Sequence, residues 1–193
     1  MPVEFKLERV ARARRLLAHL PGGIHKAQRS AINRAIMAAR TSFSKQTRRK
    51  YKIRAKELKA AFRVRKATLS SLGASLVGRG RRRPLAEFGP TPTEAGTGGY
   101  EPGVGATGTP PMRVQIMRRG GAKIVPGGFV VRKGLVGKRK AKERTPLEFL
   151  YGPAIPQMAQ AAVDLPKVEK RAQDIMDKRL EHEVTYQLRK AAR

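Results

Sequence analysis

Three histidines, His19, His25 and His182, and 14 carboxylates are the residues with which this 193-residue chain could catalyse or hold a metal. Both tasks need such groups spaced so that two or three meet on one helix face or one turn. None of the histidines stands at such a spacing, and each falls on a stretch patterned as a helix without a paired carboxylate motif. Ser70-Ser71 lacks the glycine frame that presents a nucleophile at a strand-to-helix elbow. Gly78-Arg79-Gly80 is too short and too cationic for a dinucleotide loop, and no acidic residue follows at the right distance. The carboxylates lie mostly beside lysines on helical stretches, where solvated pairing accounts for them. Cysteine is absent, which removes disulfides and thiolate metal sites. The chain reads as a non-enzymatic protein with no metal and no cofactor.

The chemistry that remains is charge. Lys and Arg number 43 against 14 Asp and Glu, a formal net charge of +29. Self-repulsion at that density opposes compaction unless a counter-charge is supplied. A polyphosphate supplies it, because each neutralised phosphate releases condensed counterions. The charge is also uneven. Arg40 to Arg83 holds sixteen basic residues and one acidic, and Arg113 to Arg144 holds eleven and one. Asp164 to Arg193, with eight and six, is nearly balanced. Arg48, Arg49, Lys50, Arg81, Arg82, Arg83, Lys138, Arg139 and Lys140 are the densest clusters and the candidate phosphate contacts. No zinc-finger spacing, basic zipper or aromatic RNA-binding motif accompanies them. With four Tyr, six Phe and no Trp, stacking platforms for single strands are scarce. Contact with phosphates irrespective of sequence is expected, or with an acidic protein neighbour that offers the same charge.

These clusters need elements to carry them. Leu7 to Leu20 is patterned as a helix closed by Pro21-Gly22-Gly23. Ile24 to Tyr51 is a longer one, its apolar residues spaced by three and four and its end saturated by Arg48, Arg49 and Lys50. Those cations also suit the C-terminal end of a helix dipole. A helical turn is expected at Ala55 to Ala61. Phe62 to Ala67 then alternates apolar with basic, as a half-buried strand does, with Leu72 to Val77 as its partner across a Ser70-Ser71 turn. Strand patterns return at Met112 to Met117 and Gly128 to Val131. A final helix follows Pro166, with Val168, Ala172, Ile175, Met176, Leu180, Val184 and Leu188 as its core stripe. No run approaches the roughly 20 apolar residues that span a bilayer, so no membrane is expected.

Residues 89–112 differ in kind, with five of the 13 prolines and no Lys or Arg. Such a composition buries too little apolar surface to order itself. An arm that orders on a neighbouring subunit and a plain insertion both fit it. The expectation is an α+β chain: one small, mostly antiparallel sheet packed by two or three long helices, in a single domain over 1–193. Residues 89–112 form its loop or arm and 166–193 its C-terminal helix.

The segment from Arg144 to Met158, Arg-Thr-Pro-Leu-Glu-Phe-Leu-Tyr-Gly-Pro-Ala-Ile-Pro-Gln-Met, resembles the C-terminal signature of the minor tail protein Z family of tailed bacteriophages. Leu20-Pro21-Gly22-Gly23, the Ala/Arg-rich helix after it, Phe62 to Ala67, and Pro126-Gly127-Gly128-Phe129-Val130 are similar too. The chain departs from the family where Leu135-Val136-Gly137 runs into a Lys/Arg cluster and where 89–112 is expanded. Within the signature, Pro146, Tyr151, Gly152, Pro153 and Pro156 read as a rigid corner between sheet and last helix, since proline fixes φ and glycine permits a bend. The resemblance implies a virion protein that completes the tail and joins it to the head, assembled in the host cytoplasm. It implies a homo-oligomeric, six-fold ring around the DNA channel, next to tail-tube, terminator or head-connector proteins. A basic nucleic-acid-binding module of ribosomal or nucleoid type would share the charge and the Gly/Pro segment, and is the alternative.

Overall fold

The structure, a computed structural model, describes residues 8–18, 20, 22–91, 93, 111–131, 135–140 and 146–192. His19, Lys142, Arg144 and, within the 89–112 segment, residues 92 and 94–110 lie outside the described residues. The fold is α+β, with five α-helices and small antiparallel sheets among the described residues. It divides into two compact units, each discontinuous in sequence. The first comprises Met1–Gln46, Lys59–Arg79 and Val163–Arg193, the second Thr47–Leu58 and Gly80–Ala162.

The first unit is built on helix α1 (Glu8–Leu16), most of α2 (Gly23–Lys50) and α5 (Leu165–Ala191). Gly22, at φ 67°, makes the left-handed turn between the first two. Ala27, Ala31, Ala35 and Ala39 recur every fourth residue along α2, which places them in one stripe. They form one buried cluster with Ala13, Leu17 and the α5 residues Val168, Ala172, Met176, Leu180 and Val184. Small residues on α2 thus leave room for the longer side chains of α5. The two helices run antiparallel, because Ser30 meets Glu183 while Gln46 meets the backbone of Asp164. Asp164 caps α5 by accepting from the Lys167 N–H at 3.3 Å, and Pro166 occupies the first turn, where no N–H is needed.

The hairpin of this unit joins β1 (Phe62–Arg65) to β2 (Ser75–Gly78) with Phe62 opposite Gly78. Arg63 and Arg65 are both exposed on it, as their alternation implies. The partner strand starts later than the apolar pattern indicates. Thr68 and Ser71 bond to each other's backbone at 3.0 and 2.8 Å, so the connection runs on through Leu72 and Gly73. Asn33 on α2 clamps the end of β1, donating to the Ala67 carbonyl and accepting from its N–H at 3.1 and 2.7 Å.

The second unit takes the last turn of α2 and the first turn of α3 (Ala55–Ala61). It adds strands β3 (Arg83–Pro84), β4 (Arg113–Val114), β5 (Lys123–Ile124), β6 (Gly128–Val131), β7 (Leu135–Arg139), β8 (Leu147–Phe149) and β9 (Tyr151–Gly152), then helix α4 (Ile155–Ala162). Strands β6, β7 and β8 form an antiparallel sheet in that order, and β3 pairs with β9 and β4 with β5. The strand expected over Met112 to Met117 is shared among β5 at Arg113–Val114, Thr91 at Arg113 and Tyr51 at Met117. No described helix is long and apolar enough to cross a membrane.

Candidate nucleic-acid interface

All nine candidate cations fall in the second unit. They are distributed over three structural settings. Arg48, Arg49 and Lys50 end α2 and are exposed, and the Lys50 ammonium donates to the Ala161 carbonyl at 2.8 Å. Arg81 and Arg82 are exposed in the approach to β3. Arg83 differs from them, because its guanidinium is held by two carboxylates. Its Nη1 lies 3.2 Å from Glu57 on α3, and Nε and Nη2 pair with Glu87 on the 3-10 turn after β3. Much of the Arg83 charge is therefore answered within the chain.

Lys138, Arg139 and Lys140 are exposed at the end of β7. This cluster continues the strand, with Lys138 opposite both Gly128 and Glu148. The Arg139 guanidinium stands 5.9 Å from the centre of the Phe129 ring, a cation–π distance. Leu135-Val136-Gly137 and the first two residues of the Lys/Arg cluster thus form one continuous strand.

The signature segment is more than a turn. Pro146 is exposed before β8, which pairs with β7. At Leu150 the chain changes partner: its N–H donates to Val136 on β7, and its carbonyl accepts from Leu85 at 3.0 Å. Tyr151 and Gly152 then pair with Pro84 and Arg83. Pro153 leads to Ala154, whose N–H is capped by the Gln157 side chain at 3.0 Å, and Pro156 lies in the first turn of α4. The corner is a strand that switches sheets and then starts a helix, a finding that spacing alone did not convey for Ile155–Ala162.

Backbone pairing builds a cleft that the sequence did not announce. Lys52 N–H donates to Ile116 and Arg118 N–H to Lys50, both at 2.9 Å, which brings Arg118 beside the end of α2. The resulting cleft of about 630 Å³ presents Arg48, Lys52, Arg54 and Arg118 around the Arg83 ion-pair set. Ile53 and Phe88 close it and are themselves buried. Among the described residues no carboxylate pairs with those four cations. Of the four, only Arg48 belongs to a dense cluster in the sequence. Lys52 and Arg54 follow that cluster at alternate positions and Arg118 adjoins Arg119, but the sequence does not show that the three meet.

Charge is shared more evenly than the sequence profile indicates. The first unit holds 23 basic and 8 acidic residues, a balance of +15, and the second 20 and 6, a balance of +14. The basic middle of the chain is split because Lys59–Arg79 belongs to the first unit.

An α+β fold with a large cation excess in each of its two units defines a strongly basic α+β protein. Comparison with protein families makes the assignment specific. Residues 11–193 match the model of the prophage minor tail protein Z, and the chain belongs to that family of structural phage tail proteins. Comparison with curated proteins and with solved structures finds no match.

Proposed function

We propose that this chain completes the phage tail and joins it to the head, as a closed six-fold ring around the channel that DNA crosses. The observation that carries the reading is family membership over nearly the whole chain together with a net charge of +29. Duplex DNA offers one negative charge per roughly 1.7 Å of axis, so a ring of basic subunits meets a repeating counter-charge at every axial position. Contacts to phosphates carry no sequence information, which suits DNA that must slide rather than stop. A head-to-tail interface that closes on itself gives such a ring. Its neighbours would be tail-tube, terminator or head-connector proteins at the neck of the virion.

The test is a phage with this gene deleted, complemented in trans, with the purified protein weighed by sedimentation. The expected result is filled heads and separate tails without the protein, joined particles with it, and a closed ring among the assembled species. Joined, infectious particles in its absence would overturn the reading, as would its absence from purified virions.

A further inference from the structure

We propose that the cleft of the second unit is a seat for the phosphodiester backbone of duplex DNA, held by Arg48, Lys52, Arg54 and Arg118. The inference rests on the DNA-channel reading and deepens it by assigning the contact to one place, mostly on residues outside the dense clusters. Three chain stretches converge there: residues 48–57, residues 83–89, and Arg118. All four side chains are exposed, so their charges reach a ligand at the cleft mouth.

The two acidic residues of the lining do not repel such a ligand freely, because both are bound to Arg83. Together the lining carries five cations and two carboxylates, an excess of three positive charges.

What the cleft lacks narrows the ligand. Among the described residues its lining contains no hydroxyl or amide side chain, so its polar groups are charged ones, which phosphate oxygens satisfy whatever the sequence. Its one aromatic, Phe88, is 2% exposed and offers no face on which an unpaired base could stack. Ile53 is buried as well, which leaves little apolar surface to grip a peptide. Charge without stacking or apolar grip fits the repeating phosphates of a duplex better than a single strand or an acidic protein segment.

The experiment measures binding of the full chain to a labelled random-sequence duplex across a salt series. The triple variant Lys52→Gln, Arg54→Gln, Arg118→Gln is expected to flatten the log–log salt slope by about 2 to 3, near 0.9 for each phosphate no longer neutralised. The charge-preserving triple Lys52→Arg, Arg54→Lys, Arg118→Lys is expected to keep it, which separates missing charge from a damaged fold. Neutralising Arg12, Arg14 and Arg15 on α1 is the control and is expected to change it far less. An unchanged slope in the glutamine triple, or a flattening equal to that of the α1 control, overturns the proposal. So does tighter binding of polyglutamate than of the duplex at equal salt, which would make the occupant an acidic protein. These outcomes leave head–tail joining untouched, since that fails on particle assembly instead.

Discussion

Ser30 donates a 2.7 Å hydrogen bond to the carboxylate of Glu183, a residue 153 positions further along the chain and only 8% exposed. The Arg179 guanidinium reaches the same carboxylate at 2.6 Å. A buried carboxylate costs several kcal/mol unless its oxygens are met, so the pair of donors is what permits a glutamate on the packed face of α5. The contact also sets the antiparallel alignment of α2 and α5.

Ser30→Ala should therefore lower unfolding free energy by about 1–3 kcal/mol, the range for a hydrogen bond to a buried charged group. Arg179→Ala should cost less, about 0–1 kcal/mol, because Arg179 is 40% exposed and its ion pair is screened. Urea unfolding at unchanged m-value checks both. Equal losses for the two variants would show that the ion pair, and not the hydroxyl, holds the carboxylate.

Gly152 tests the sheet-switching strand. A Cβ at this position would stand 2.5 Å from Cε2 of Phe88, a buried ring. Gly152→Ala should destabilise by about 1–3 kcal/mol through overpacking. Phe88→Leu removes the opposing ring edge, so the double variant should lose less than the sum of the singles. Strict additivity in a thermal-unfolding cycle would contradict the contact.

Asp164 gives a pH signature. The hydrogen bonds from Lys167, side chain first and backbone second, hold its carboxyl below the usual value of 3.8. A carboxyl depressed in the folded state stabilises above its unfolded pKa and loses that contribution as pH falls through the folded one. Asp164→Asn keeps a capping acceptor but removes the charge. Its melting temperature should lie below wild type near neutral pH, and the gap should close as pH drops below 3.8. A gap that persists in acid would assign the difference to cap geometry rather than charge.

Legibility followed locality. The α2 helix begins one residue from its expected start, and α3 spans Ala55–Ala61 as read, because periodicity and breakers act within a few residues. The α5 stripe packs as expected because Val168, Ala172, Met176, Leu180 and Val184 are one face of one helix. By contrast, the segment after Pro146 reads as a corner because its prolines and glycine are visible and its partners are not. Leu150 is bonded to Val136 and to Leu85, both distant along the chain, and no local pattern encodes either choice. The β2 strand slipped for a similar reason: Thr68 and Ser71 satisfy each other's backbone and delay the ladder.

By itself, the amino-acid sequence determined the charge, the helices other than α4, the proline that starts α5 and the family signature, all properties of residues and their near neighbours. Only the tertiary structure decided which charges are paired within the chain and which gather in one place. Arg83 looks like its neighbours Arg81 and Arg82 in the chain, yet Glu57 and Glu87 bind it, while Lys52, Arg54 and Arg118 gather around one cleft. Electrostatic energy depends on distance in space, and the pairing of residues 50–52 with 116–118 sets those distances.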